Sequence, residues 1–123
     1  MIEADLQPSP AAVILAIERI ARRVRPARII AFGSRARGQH KPDSDLDLLV
    51  VLPRGAKENG LAGEIYEAVG ALGFSKDILI SEEDRFERSR SSINSVQATA
   101  ASEGVTLYEN GRTDRAAIEK ICR

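Results

Sequence analysis

With 123 residues, 43% hydrophobic and 29% charged, the chain has the make-up of an ordinary soluble globular domain, long enough to bury a core without disulfides or a structural metal. Its 18 basic and 18 acidic residues cancel, which argues against a general nucleic-acid binder with a net basic footprint. No stretch nears the roughly 20 apolar residues that span a bilayer, Met1–Pro10 lacks the basic start and long apolar core of a secretory signal, and Cys122 is alone, so a reducing, cytoplasmic compartment is expected.

Ser9 and Pro10 read as the cap and first residue of a helix. Val13, Ile14, Ile17, Ile20, Ala21 and Val24 recur with helical period, and Arg25-Pro26 ends it. Arg28–Phe32 is a short apolar strand broken at Gly33. A turn of helix and a polar loop, Gln39–Ser44, lead to a second strand, Leu46–Leu52, whose apolar run suits a central strand covered on both faces. A helix is predicted from about Glu58 to Leu72, capped by Gly73. Lys76–Ile80 is the third strand, and Ser81 is expected to cap a helical turn over Glu82–Arg88, with Asp84 completing a partial capping box. Another helix over Ile93–Ser102 stops at Gly104, Val105–Tyr108 is a fourth strand expected at the sheet edge, and residues 112–123 suggest a terminal helix. Alternating strands and helices give an α/β or α+β sandwich around one sheet. No repeat or interdomain linker appears, so one domain over residues 1–123 is expected.

Charge is uneven along this frame. Arg19, Arg22, Arg23, Arg25, Arg28, Arg35 and Arg37 form a basic run, and Glu82, Glu83, Asp84 and Glu87 an acidic one. The basic run has no interleaved aromatic residues, so it offers no stacking platform for single-stranded nucleic acid.

Asp45 and Asp47 begin the second strand, where side chains two apart share a face. Two adjacent carboxylates repel, so they call for a cation or a shared proton. Magnesium fits, because it takes oxygen ligands and commonly uses one or two carboxylates plus substrate phosphates. Asp77 opens the third strand and is placed to reach the same end of the sheet; three carboxylates suffice for two metals, and one can accept a proton. Gly33 permits a sharp turn, and Ser34 starts a helical turn whose free N–H groups suit a phosphate, with Arg35 and Arg37 adding positive charge. Taken singly, each piece is common in turns. The series is what points to chemistry: strand, Gly-Ser, short helix, loop, Asp-x-Asp, then Asp before a later strand.

Phe32-Gly33-Ser34-Arg35-Ala36-Arg37-Gly38, followed by Ser44-Asp45-Leu46-Asp47-Leu48-Leu49-Val50, resembles the signature of the polymerase-β-type nucleotidyltransferases. The spacing Gly-Ser, ten residues, Asp-x-Asp in a short chain is similar to the minimal nucleotidyltransferase (MNT) branch. The resemblance extends over about residues 9–108. It implies a small mixed sheet of about four strands flanked by helices, with Gly33, Ser34, Arg35 and Arg37 at the nucleotide. It also implies two magnesium ions on Asp45, Asp47 and Asp77, the last helping to activate an acceptor hydroxyl. The implied reaction moves AMP from ATP to that hydroxyl. A chain this short leaves no room for an acceptor-binding domain, so the acceptor is expected to be small or carried by a partner. The MNT resemblance favours a tyrosine of a helical HEPN RNase toxin, with this chain as antitoxin. A small-molecule nucleotidyltransferase and a non-catalytic partner-binding module are the alternatives. The oligomeric state and the base preference have no signature.

Overall fold

The computed structural model describes residues 8–41 and 43–123; most of the Met1–Pro10 reading lies outside them, as does Pro42 of the polar loop. Helix α1 (Pro10–Val24) starts where its sequence places it. The Ser9 hydroxyl accepts from the Ala12 N–H at 3.1 Å, and Pro10 fills a first-turn position where no N–H is needed. Its buried stripe is Val13, Ala16, Ile17 and Ile20. Strand β1 (Arg28–Phe32), short helix α2 (Ser34–Arg37) and strand β2 (Leu46–Leu52) also match expectation. The apolar residues of β2 serve two cores. Leu46, Leu48, Val50 and Leu52 join the larger one, and Leu49 and Val51 the smaller one on the other face.

Helix α3 is shorter than predicted, Leu61–Val69 instead of about Glu58 to Leu72. Gly60 (φ 76°) and Gly70 (φ 68°) bound it at positive φ, so Gly70 rather than Gly73 is its cap. Glu58 is drawn off to strand β3 (Lys76–Glu82) and its sequel: its carboxylate accepts from Glu82 N–H at 2.6 Å and from Arg85 at 2.8 and 2.9 Å. β3 outruns its predicted end at Ile80 because it pairs with the whole of β2, as far as Leu52↔Glu82. Ser81 is therefore a buried strand residue rather than a cap, and Glu82 caps helix α4 (Glu83–Ser89) by accepting from Arg85 N–H at 3.0 Å. Helix α5 (Val96–Glu103) starts behind Ser95, not at Ile93, since Asn94 is left-handed (φ 69°) and Ile93 is 90% exposed.

Strand β4 (Val105–Glu109), expected at the edge, is internal. Asn110-Gly111, both at positive φ (52° and 82°), turn the chain into a short strand β5 (Arg112–Thr113) that takes the edge, ahead of helix α6 (Arg115–Ile121). The mixed sheet has the order β3-β2-β1-β4-β5, with only β2 and β3 parallel. α1, α3 and α6 cover one face through Ile17, Ile65, Val69 and Ile118; Phe86 of α4 and Ala100 of α5 pack on the other against Ile30, Leu49 and Val51. The exposed side of β3 is tied off by side chains: the Ile78 N–H donates to the Tyr66 hydroxyl at 2.7 Å, and Arg85 donates to the Ile80 carbonyl at 2.7 Å. Polar groups on an unpaired edge would otherwise recruit another strand. No described helix is long and apolar enough to cross a membrane.

Much of the basic run is committed to the fold. Arg19 donates to the Val69 carbonyl at 2.7 Å, at the negative end of α3, and Arg23 pairs with Glu64 at 3.2 Å. Arg28 lies over the Phe86 ring at 4.8 Å and within 3.8 Å of Glu87.

Candidate active site

The register of three strands assembles the carboxylates. Phe32, the last residue of β1, faces Asp47, and Asp47 faces Asp77 across the parallel β2–β3 pair. Alternation along β2 and β3 puts Asp47 on the face of Leu49 and Asp77 on the face of Leu79, which is the side of α4 and α5. Asp45, two residues before Asp47, reaches the same side and accepts a short hydrogen bond from the Ser75 hydroxyl. Asp45 and Asp77 are exposed and Asp47 is half-buried, so the group opens onto solvent at the start of β2 and β3.

Electrostatics tie the three together. Burial pushes the Asp47 carboxyl above the ordinary range, and the charges of Asp77 and then Asp45 push it further; Arg37 pulls against them. A cation among these groups would remove the repulsion. Gly33 adds a steric element. It has φ 80° and ψ −158°, a conformation that is essentially glycine's alone, and a Cβ there would lie 2.3 Å from Asp47 Oδ2. The missing side chain is the space that the Asp47 carboxylate uses. Gly33 also precedes α2 without a side-chain cap, leaving the first turn of α2 open to an outside acceptor beside Ser34.

The two arginines expected at the nucleotide part company. Arg37 is exposed; it donates to Gln39 at 3.1 Å and to Glu103 at 3.2 Å and acts electrostatically on Asp47. Arg35 is 1% exposed and points into the protein, donating to the Ser44 carbonyl at 3.1 Å and the Lys41 carbonyl at 3.4 Å. Arg35 thus holds the ends of the loop that delivers Asp45. Its neighbour Cys122 has a thiol pushed up by burial and eased down by the Arg35 charge. His40, in the polar loop, is half-buried, with Nε2 and the Arg123 carbonyl 2.8 Å apart.

The donor set suits magnesium in kind: all-oxygen, anionic, mutually repelling, and free of histidine or cysteine. Among the described residues no three His, Cys, Asp or Glu side chains already close on one point as a finished cage. Two carboxylates side by side on adjacent strands, open to solvent, match an ion that completes its shell with water and substrate phosphates. A hollow of about 490 Å³ lined by Thr106, Tyr108, Arg112 and Asp114 lies at the other end of the sheet, by β5, and has none of these features.

A family model described as the nucleotidyltransferase domain matches residues 14–102, which takes in β1, the Gly33-Ser34 turn, all three aspartates, α3, α4 and most of α1 and α5. The chain belongs to that family. Its five-stranded mixed sheet flanked by helices is the polymerase-β-type nucleotidyltransferase fold. A crystal structure from Sulfolobus solfataricus, of a protein provisionally assigned as a nucleotidyltransferase, matches with a TM-score of 0.45 and 21% identity, over 80% of this chain and 91% of that one. No curated protein matches the chain at a significant level.

Two residues at the site carry no mark in the sequence. Ser75 is opposite Asp45 only because β2 and β3 run parallel and in register, and neither strand's own residues specify that register. Tyr66 places its hydroxyl 3.4 Å from Asp77 Oδ1. Nothing in its helical period marks it, because the contact is made around the edge of the sheet.

Proposed function

We propose that this nucleotidyltransferase is one minimal domain over residues 1–123 that moves AMP from ATP to a protein hydroxyl. The acceptor in this reading is a tyrosine of a HEPN RNase toxin, and the chain acts as its antitoxin. The observation that carries the catalytic part is the Asp47–Asp77 pairing across parallel strands, against the Gly33-Ser34 turn. The acceptor and the antitoxin role rest on the resemblance of Gly33-Ser34, ten residues and Asp45-Leu46-Asp47 to the MNT signature.

Ser34 and the backbone donors of α2 bind the terminal phosphates, and Arg37 adds charge from the same side. Arg35 acts from behind, holding the loop that ends at Asp45. Asp45, Asp47 and Asp77 would hold two magnesium ions, which would neutralise the charge of the triphosphate during transfer. Asp77 takes the acceptor proton as the acceptor oxygen bonds to the α-phosphorus. The bond from that phosphorus to the α–β bridging oxygen breaks, and pyrophosphate leaves.

The test incubates the chain and a HEPN partner with ATP and Mg²⁺ and reads the partner by mass spectrometry. The expected product is an AMP adduct on a partner tyrosine, reduced at least about 10³-fold by Asp47→Asn, which keeps shape but removes a ligand charge. Neutralisation of the partner by Asp47→Asn without labelling would replace transfer by simple occupation. Labelling of a small hydroxyl compound in place of the protein would move the acceptor to that class.

A further inference from the structure

Each carboxylate of the group has its own restraint. Asp45 is held by the Ser75 hydroxyl, and Asp47 lies against the Cα of Gly33. Asp77 is exposed on an edge strand, and among the described residues the neighbour in hydrogen-bond range of its carboxylate is Tyr66. The approach is unusual. Ile65 and Val69 seat α3 in the core on one face of the sheet, whereas Asp77 points to the other. The phenol of Tyr66 crosses between the faces around the outer edge of β3. Its oxygen is anchored there by the Ile78 N–H at 2.7 Å. That donor uses a lone pair of the phenol, which leaves its single hydrogen for Asp77 Oδ1 at 3.4 Å.

We propose that Tyr66 is a positioning residue, whose hydroxyl holds the Asp77 carboxylate in the orientation required for divalent-cation binding. The inference rests on the magnesium-dependent nucleotidyltransferase reading given above. A ligand carboxylate that would otherwise swing freely on an edge strand is restrained by a donor that is itself fixed to the backbone. Such outer partners typically set metal affinity within about 10–100-fold, and a contact near the long limit of hydrogen bonding belongs at the lower end.

The decisive variant is Tyr66→Phe, read by the free Mg²⁺ concentration at which half the protein has bound a non-hydrolysable ATP analogue. That concentration should rise about 10-fold. Thermal unfolding of the metal-free variant should stay close to wild type, because Tyr66 is 40% exposed and water can replace the hydroxyl at the Ile78 N–H. In an Asp77→Asn background the same substitution should leave the Mg²⁺ requirement unchanged, since its effect passes through Asp77. Unaltered Mg²⁺ dependence together with a lowered unfolding temperature would reduce Tyr66 to an edge cap and overturn the proposal. An equal loss in the Asp77→Asn background would overturn it as well. Wild-type protein that binds the analogue equally well without Mg²⁺ would overturn the parent reading, and this inference with it.

Discussion

Replacing Gly33 by alanine tests whether the turn and the carboxylate group are one device. Two costs follow from the geometry. The backbone stays at φ 80° and ψ −158°, a region costing a side-chain-bearing residue about 1–3 kcal/mol. The new Cβ lies 2.3 Å from Asp47 Oδ2 and 3.3 Å from its Cγ, so the carboxylate must retreat by about 1 Å to reach ordinary contact. Asp47 is a side chain and can give way, so stability should fall mainly by the backbone part, about 2 kcal/mol, or roughly 5–12 °C for a domain of this size. Function should suffer more, because a misplacement of about 1 Å in a reacting group can cost about 10²-fold. Thermal unfolding and nucleotide transfer measured on the same sample separate the two costs. The cycle closes with Asp47→Ala: the crowding atoms are then gone, and the nearest Asp47 atom is Cβ at an ordinary 3.6 Å. Gly33→Ala in that background should lose only the backbone part. A Gly33→Ala protein with wild-type unfolding and wild-type transfer would refute the reasoning. So would an equal stability loss that leaves transfer intact.

Asp47→Asn also tests the electrostatics without metal. Because the folded carboxyl is raised, by burial first and by Asp77 and Asp45 next, ionised Asp47 opposes folding at neutral pH, and this cost vanishes as pH falls through its raised folded range. The metal-free variant should melt about 1–3 °C above wild type near pH 7, the two converging by about pH 3; a variant less stable at neutral pH would show the carboxylate to be favourably paired. Arg35→Met should cost about 2–4 kcal/mol in chemical denaturation, since it removes charged donors from the Ser44 and Lys41 carbonyls. Arg37→Gln should change stability by less than about 0.5 kcal/mol while raising the KM for ATP about 10-fold, its pair with Glu103 being exposed. A stable Arg35→Met with a raised KM would return Arg35 to the nucleotide.

Much of this protein is legible without coordinates because the signals are local. Ser9-Pro10 starts α1 by capping geometry alone, and β1 and β2 have the bounds their apolar runs mark. Asn110-Gly111 is a readable hairpin turn, yet a terminal helix over residues 112–123 leaves no place for β5, the strand that this turn begins. The Gly-Ser and Asp-x-Asp pieces are visible because a sharp turn at positive φ and a carboxylate pair on one strand face each need specific residues at short spacing.

What tertiary structure alone decided is how distant segments meet. Glycines 60 and 70 shorten α3 where helical period would have carried on, because Glu58 is pulled away to Arg85 and the β3 backbone. Ser81 became core rather than cap because pairing with β2 outlasted the local turn signal. Arg35 and Arg37 are two residues apart and equal in charge, yet one is buried under its own loop and the other faces Asp47, a difference set by the rotation of a single helical turn. The Asp47–Asp77 pairing and Ser75 beside Asp45 follow from the parallel register of β2 and β3, and the Tyr66 hydroxyl reaches Asp77 around the outer edge of β3. That register is chosen by the packing of both sheet faces at once, and no short stretch of sequence contains it.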